Sequence, residues 1–187
     1  MADILEFAEY LICLDREKAR VEGEDAVSDM TPLKLQKLLY YCQGYSLGLY
    51  EKSLFEEAIH AWPHGPVFIS VYNKYKAFGG TPIPFESVVE PVMDERAQKI
   101  AEMVMRYEGR FTAWALRDKT HMEKPWNYTY NKLGSNSRIS EDIIREFFSS
   151  RFNDELPQEE EEAMFSEAGA APNKIEWLRI NEYVGSL

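Results

Sequence analysis

The segment TPLKLQKLLYYCQGYSLGLY, residues 31–50, decides the fold. Thr31 followed by Pro32 is a helix start: the hydroxyl can accept from a free amide of the first turn, and proline at the first helical position has no donor to lose. Read at 3.6 residues per turn, the segment has three faces. Leu35, Leu38, Leu39, Cys42, Ser46 and Leu49 form one, and Gln36, Tyr40, Gln43, Leu47 and Tyr50 a second. Lys34, Lys37, Tyr41, Gly44 and Gly48 form the third. A helix with so little solvated surface is central to its domain. Its two glycines, each costing about 1 kcal/mol of helix propensity, would let another backbone come close.

Working outward, Ile4, Phe7, Ala8, Leu11 and Ile12 make the apolar stripe of an amphipathic helix over Asp3 to about Leu14, and the charged stretch Asp15 to Asp29 reads as a fraying end and loop. Downstream, Phe55 to Trp62 alternates as a short strand, and Pro63-His64-Gly65-Pro66 is expected to make a rigid corner. Helical spacing resumes from Val67 to Phe78 and stops at Gly79-Gly80. An extended, turn-rich piece (81–92) precedes Asp94, the expected cap of a helix carrying Ala97, Ile100, Ala101, Val104 and Tyr107. A short helix after Gly109 is expected to carry Phe111, Trp114 and Ala115 on one side, and Pro125-Trp126 to start a further turn. Ser140 caps the last strong helix, with Ile143, Ile144, Phe147 and Phe148 as its buried stripe. The expected fold class is mostly α (α+β): a single compact helical domain around a central helix, with a small antiparallel sheet or hairpin.

The chain has 187 residues, 45% hydrophobic and 28% charged, with 32 acidic against 21 basic side chains for a net charge of −11. That balance suits one globular domain and opposes whole-surface attraction to nucleic acid or anionic membrane. The excess is uneven: from residue 151 onward nine acids face three bases. We therefore expect a domain over 1–150 and an acidic, partly flexible C-terminal extension over 151–187. Within that extension only Ile175, Trp177, Leu178, Ile180 and Tyr183 offer apolar docking material. No apolar run reaches a membrane span, and the acidic start MADILEFAEY lacks the pattern of a secretory signal, so cytoplasmic localisation is expected.

Chemistry-bearing patterns are sparse. His60 and His64 have helical metal-ligand spacing, but Pro63 and Gly65 oppose a helix there and no third ligand clusters with them. His121 with Glu123 could do acid–base work; a histidine satisfying a backbone group at a helix end is the stronger reading. Cys13 and Cys42 lie in apolar stripes, where burial suppresses the thiolate, so they read as small buried hydrophobes rather than a disulfide or a nucleophile. There is no phosphate-cradling glycine loop. No catalytic residue, metal or cofactor is expected. Aromatic residues stand out instead: Tyr41, Tyr45, Trp62, Phe68, Tyr72, Tyr75, Trp126, Tyr128 and Tyr130 cluster around helix starts and the proline corner. About two-thirds are expected in the core, and the remainder are the residue types that protein interfaces favour.

Three blocks resemble the Panacea domain family, the SocA-like antitoxins. Lys34, Leu35, Lys37, Leu38, Leu39, Tyr40 and Tyr41 match its helix, followed by Glu56 and Glu57, then Ala61, Trp62, Gly65, Pro66, Val67 and Tyr72. Leu116, Thr120, His121, Pro125 and Trp126 match a second block, and Ile139, Ser140, Ile144, Phe147 and Phe148 a third. The resemblance spans about 31–150 and leaves out the acidic extension. It implies an antitoxin of a bacterial or prophage toxin–antitoxin system that neutralises a cognate protein toxin by direct binding. A second mode it implies is a proteolytic adaptor delivering the toxin to a ClpX-type protease. It brings no catalytic residues, and a hydrolase using His121 or Cys42 is the distant alternative. Spacing suggests that the proline corner presents Trp62 and Tyr72 beside the basic and aromatic face of the central helix. The expected toxin-binding residues are Lys34, Lys37, Tyr41, Trp62, His64, Phe68, Tyr72, His121 and Trp126.

Overall fold

A computed structural model describes residues 1–22, 28–84 and 91–155. Helix α1 (Ile4–Glu22) starts where the Asp3 carboxylate accepts from the amides of Leu5 and Glu6, at 2.9 and 3.0 Å. Its stripe Ile4, Phe7, Ala8, Leu11 and Ile12 is buried. The helix runs on into the charged stretch as far as Glu22, and at its start Asp15 is buried and accepts from the Ser28 hydroxyl at 2.6 Å.

Helix α2 (Pro32–Tyr50) is the central element, flanked by α1, by the hairpin and by helices α4, α5 and α7 described below. The Thr31 hydroxyl accepts from the Lys34 amide at 3.3 Å, and nearly every α2 side chain is buried. Its polar side chains satisfy passing backbone rather than water. Gln36 donates to the Phe68 carbonyl at 3.0 Å and accepts from the Phe68 amide at 2.8 Å. Gln43 accepts from the amides of Leu54 and Phe55, each at 3.0 Å. Gly44 and Gly48 face the Phe148 and Phe152 side chains of α7 (Glu141–Glu155), the close approach their small size permits.

Strands β1 (Ile59–Trp62) and β2 (Gly65–Phe68) pair antiparallel, Ile59 opposite Phe68 and Trp62 opposite Gly65, across the two-residue turn Pro63-His64. A small hairpin was expected; its second strand was not. The expected corner and helix start at 63–68 are extended for two reasons: Gly65 sits at φ +100°, and Gln36 captures both backbone groups of Phe68. On its other edge β1 bonds the 136–139 segment, with Ala61 N to Ser137 O at 2.9 Å and Ile139 N to Ile59 O at 2.8 Å.

Helix α3 (Ile69–Tyr75) passes into a 3₁₀ turn and ends at Gly79. Asp94 caps α4 (Glu95–Tyr107), accepting from Ala97 N at 2.8 Å. Thr112 caps α5 (Ala113–Met122), α6 (Lys124–Tyr128) carries Pro125 in its first turn, and a π turn follows over Thr129–Leu133. The Ser140 hydroxyl accepts from Asp142 N at 3.2 Å, as its capping role requires. Helix α7 continues past position 150 to Glu155, with Ile144, Phe148 and Phe152 buried. The acidic stretch beyond it, including Ile175 to Tyr183, lies outside the described residues. Among the described residues no helix is long and apolar enough to cross a membrane.

Helix α5 turns a different side inward. Leu116, Thr120 and then Glu123 point inward at i, i+4, i+7, which leaves Trp114, Arg117 and His121 together on the outer side. Trp114 is 60% exposed rather than core.

Candidate partner-binding face

The expected binding residues separate into two groups, one inside the domain and one on its hairpin side. Lys34, Lys37, Tyr41 and Phe68 are inside, so no groove is formed by the basic and aromatic face of α2. The reason is hydrogen bonding across the fold. Lys34 Nζ donates to Asp29 Oδ1 at 2.6 Å and to the Gly109 carbonyl at 2.8 Å, tying the α4–α5 connection to the start of α2. Lys37 Nζ donates to the Pro66 carbonyl at 2.8 Å from beneath the hairpin. A Cβ on Gly65 would lie 2.7 Å from Lys37 Cε and 2.9 Å from Thr120 Oγ1, so glycine is required there by space as well as by φ. Burial, with Arg117 second, lowers the Lys37 ammonium to about 7.

Tyr41 belongs to a buried network. Tyr40 and Tyr41 donate to Glu123 at 3.1 and 2.9 Å, and Tyr45 donates to Glu108 at 3.2 Å. Lys119 pairs with Glu108 at 2.6 Å, while Arg151 stands 3.7 Å from Glu108 and 4.0 Å from Glu123. Burial pushes the Glu123 carboxyl up to about 7 against the pull of Lys119 and Arg151. The same burial, with Glu123 second, raises the Tyr40 and Tyr41 hydroxyls well above their usual value. This network joins α2, α5 and α7 and is structural.

The other group assembles a face on the hairpin side. Trp126 is buried, donates its indole N–H to the Trp62 carbonyl at 2.9 Å, and lies between two parallel rings. His121 stacks on it at 3.7 Å and 4°, and Tyr130 at 4.6 Å and 15°. Trp62 donates to Asn136 Oδ1 at 2.8 Å and meets Tyr72 edge-on at 4.8 Å. His64, exposed in the hairpin turn, meets Trp114 edge-on at 5.9 Å, and the Arg117 guanidinium lies 6.0 Å from the Trp114 ring. A chain of ring and hydrogen-bond contacts therefore links Tyr72, Trp62, Trp126 and Tyr130, with His121, Arg117, Trp114 and His64 alongside. Tyr72 is 38% exposed, and Tyr128, Leu133 and Met122 are also exposed on α5, α6 and the π turn.

Trp114 and Arg117 were not among the expected site residues. The signal was present in the sequence: Leu116, Thr120 and Glu123 define an inward stripe that leaves 114, 117 and 121 outward. The nucleophile and metal candidates acquire no such setting. Cys42 is fully buried, and desolvation raises its thiol well above the usual value. His60 Nδ1 sits 3.0 Å from the Asn136 carbonyl. Among the described residues no group of three or more His, Cys, Asp or Glu is placed to hold a metal ion.

The family model for the antitoxin SocA-like, Panacea domain matches residues 35–127, from the first turn of α2 into α6. The antitoxin SocA of Caulobacter vibrioides is 30% identical over 132 residues, which is 62% of this chain and 70% of that protein. The chain belongs to the SocA-like Panacea family. No solved structure matches it. The matched span holds the Lys37–Gly65 contact, the hairpin, Trp114, Arg117, His121 and Trp126. Tyr130 and Asn136, which complete the aromatic frame, follow it. Membership in an antitoxin family supports an antitoxin role and a toxin as the general class of partner.

Proposed function

We propose that this protein neutralises a cognate protein toxin by direct binding through the hairpin–α5–α6 face, without a reaction of its own, in the cytoplasm. The observation that carries this reading is the exposed aromatic set Tyr72, Trp114 and Tyr128 beside an internally braced frame, Trp62 and Trp126, each held by an indole hydrogen bond. Rings held in place lose little entropy on binding, and aromatic residues with arginine are the groups that dominate interface energies. Of the expected binding residues, His64, Tyr72, Trp62, His121 and Trp126 remain as the contact candidates or their immediate support. Lys34, Lys37, Tyr41 and Phe68 act as scaffold.

Co-expression with the neighbouring gene tests the reading. The wild-type protein should restore growth that the neighbouring product arrests, at unchanged half-life of that product, and Trp114→Ala should not restore it. Failure of the wild type to rescue would refute the antitoxin role. Rescue with a shortened toxin half-life would replace direct blocking by delivery to a protease.

A further inference from the structure

Arg117 Nε and His121 Nε2 are shielded from solvent and have no hydrogen-bond partner within the protein. An unpaired buried polar nitrogen is costly and calls for a partner: Arg117 Nε–H for an acceptor, and His121 Nε2 likewise in the tautomer that carries its proton there. Arg117 and His121 are four residues apart on the outer side of α5, about one helical turn, and the His121 ring is fixed by parallel stacking on Trp126 at 3.7 Å. Arg117 and Lys37 both act electrostatically on His121, so basic groups from α5 and α2 converge here in a chain of net charge −11. The acidic residue near them, Asp118, is exposed and takes only the far end of Arg117, at Nη1, 2.6 Å away. Burial, then Arg117 and Lys37, hold the His121 imidazole down to about 4, with Asp118 pulling the other way.

We propose that Arg117 and His121, with Lys37 beneath them, form a seat for one carboxylate of the bound protein, supplied by an Asp or Glu side chain or a chain terminus. Arg117 Nε–H and His121 in its Nε2–H tautomer would match the two oxygens of a carboxylate; a phosphate would bring more oxygens and charge than the seat has free donors. Beside the seat, Trp114 and Trp126 provide the apolar wall that excludes water from such a pair. The identity of the occupant rests on the toxin-binding reading, whereas the seat itself rests on the orphaned atoms.

The test needs no toxin. The full-length protein, with histidine rings labelled for NMR, is titrated with sodium acetate against sodium chloride at equal ionic strength, and His121 is assigned by loss of its signal in His121→Gln. The expected result is a saturable, acetate-specific movement of the His121 signals that Arg117→Gln weakens at least about tenfold, which is about 1.4 kcal/mol. Arg117 otherwise makes an exposed ion pair with Asp118 and a 6.0 Å contact with the Trp114 ring, so Arg117→Gln should lower Tm by no more than about 4 °C. Absence of an acetate-specific movement, equal binding by Arg117→Gln, or inorganic phosphate binding at least as tightly as acetate would overturn the proposal. If acetate binds while the wild type fails to rescue growth, the seat stands and the toxin is removed as its occupant. If rescue depends on Trp114 while acetate does not bind, the toxin-binding reading stands and the seat falls.

Discussion

Gly44→Ala puts the central packing of α2 on α7 to a quantitative test. In an open helix this change gains about 1 kcal/mol of helix propensity. Here the added Cβ would stand 2.2, 2.4 and 2.6 Å from Cε2, Cζ and Cδ2 of Phe148, more than an ångström inside ordinary carbon contact. The ring has little room to swing away. It is fully buried among Tyr40 at 5.7 Å, Tyr45 at 6.0 Å, Tyr41 at 6.1 Å and Phe147 at 5.2 Å between centroids. Overpacking of this kind costs about 1–3 kcal/mol, with severe cases higher, and must first cancel the propensity gain. We expect a net loss of about 1–2 kcal/mol and a Tm about 2–8 °C lower, read by thermal and urea denaturation followed by circular dichroism. Phe148→Leu removes the clashing ring, so the double variant should be at least about 0.5 kcal/mol more stable than the sum of the single effects predicts. A rise in Tm for Gly44→Ala, or additive losses in the double variant, would refute the packing argument.

Buried ionisable groups give two predictions of opposite sign in pH. The depressed pKa of Lys37, about 7, makes its contribution fully present above pH 10.5 and lost as pH falls toward 7; Lys37→Met should flatten that part of the stability–pH curve, by up to a few kcal/mol relative to wild type in urea melts. The raised pKa of Glu123, about 7, makes its contribution fully present below pH 4.5 and lost as pH rises through 7. Glu123→Gln, which keeps an acceptor oxygen for one of the Tyr40 and Tyr41 hydroxyls and turns an amide donor to the other, should remove that decline between pH 4.5 and 7.

What the sequence made legible were the features set by neighbours in the chain. The α2 start follows from Thr31-Pro32, its centrality from three unsolvated faces, and the α4 and α7 starts from Asp94 and Ser140. What it hid were features set by distant partners. A lysine in a helix reads as a solvent-facing charge, yet Lys34 and Lys37 end on carbonyls of Gly109 and Pro66, 75 and 29 residues away. Strand β2 has no periodicity of its own to announce it, because its extended shape depends on Gln36 holding Phe68. The α5 orientation is hard to see in the sequence because the ring of Trp114 is larger than the inward side chains of Leu116 and Thr120. The site was accordingly half legible. Of the residues expected to bind, His64, Tyr72 and His121 lie on the proposed face, whereas Trp114 and Arg117 were signalled only by the inward stripe of Leu116 and Thr120 that turns them outward.

The most direct measurement is the affinity of the purified protein for the product of the neighbouring gene, wild type against Trp114→Ala, by isothermal titration calorimetry. The side chain is mostly exposed, so the variant should keep the wild-type Tm, while truncating an aromatic anchor at the centre of the face should cost about 2 kcal/mol, roughly 30-fold in Kd. An unchanged Kd for the variant with an intact fold would contradict the placement of toxin recognition on the hairpin–α5–α6 face.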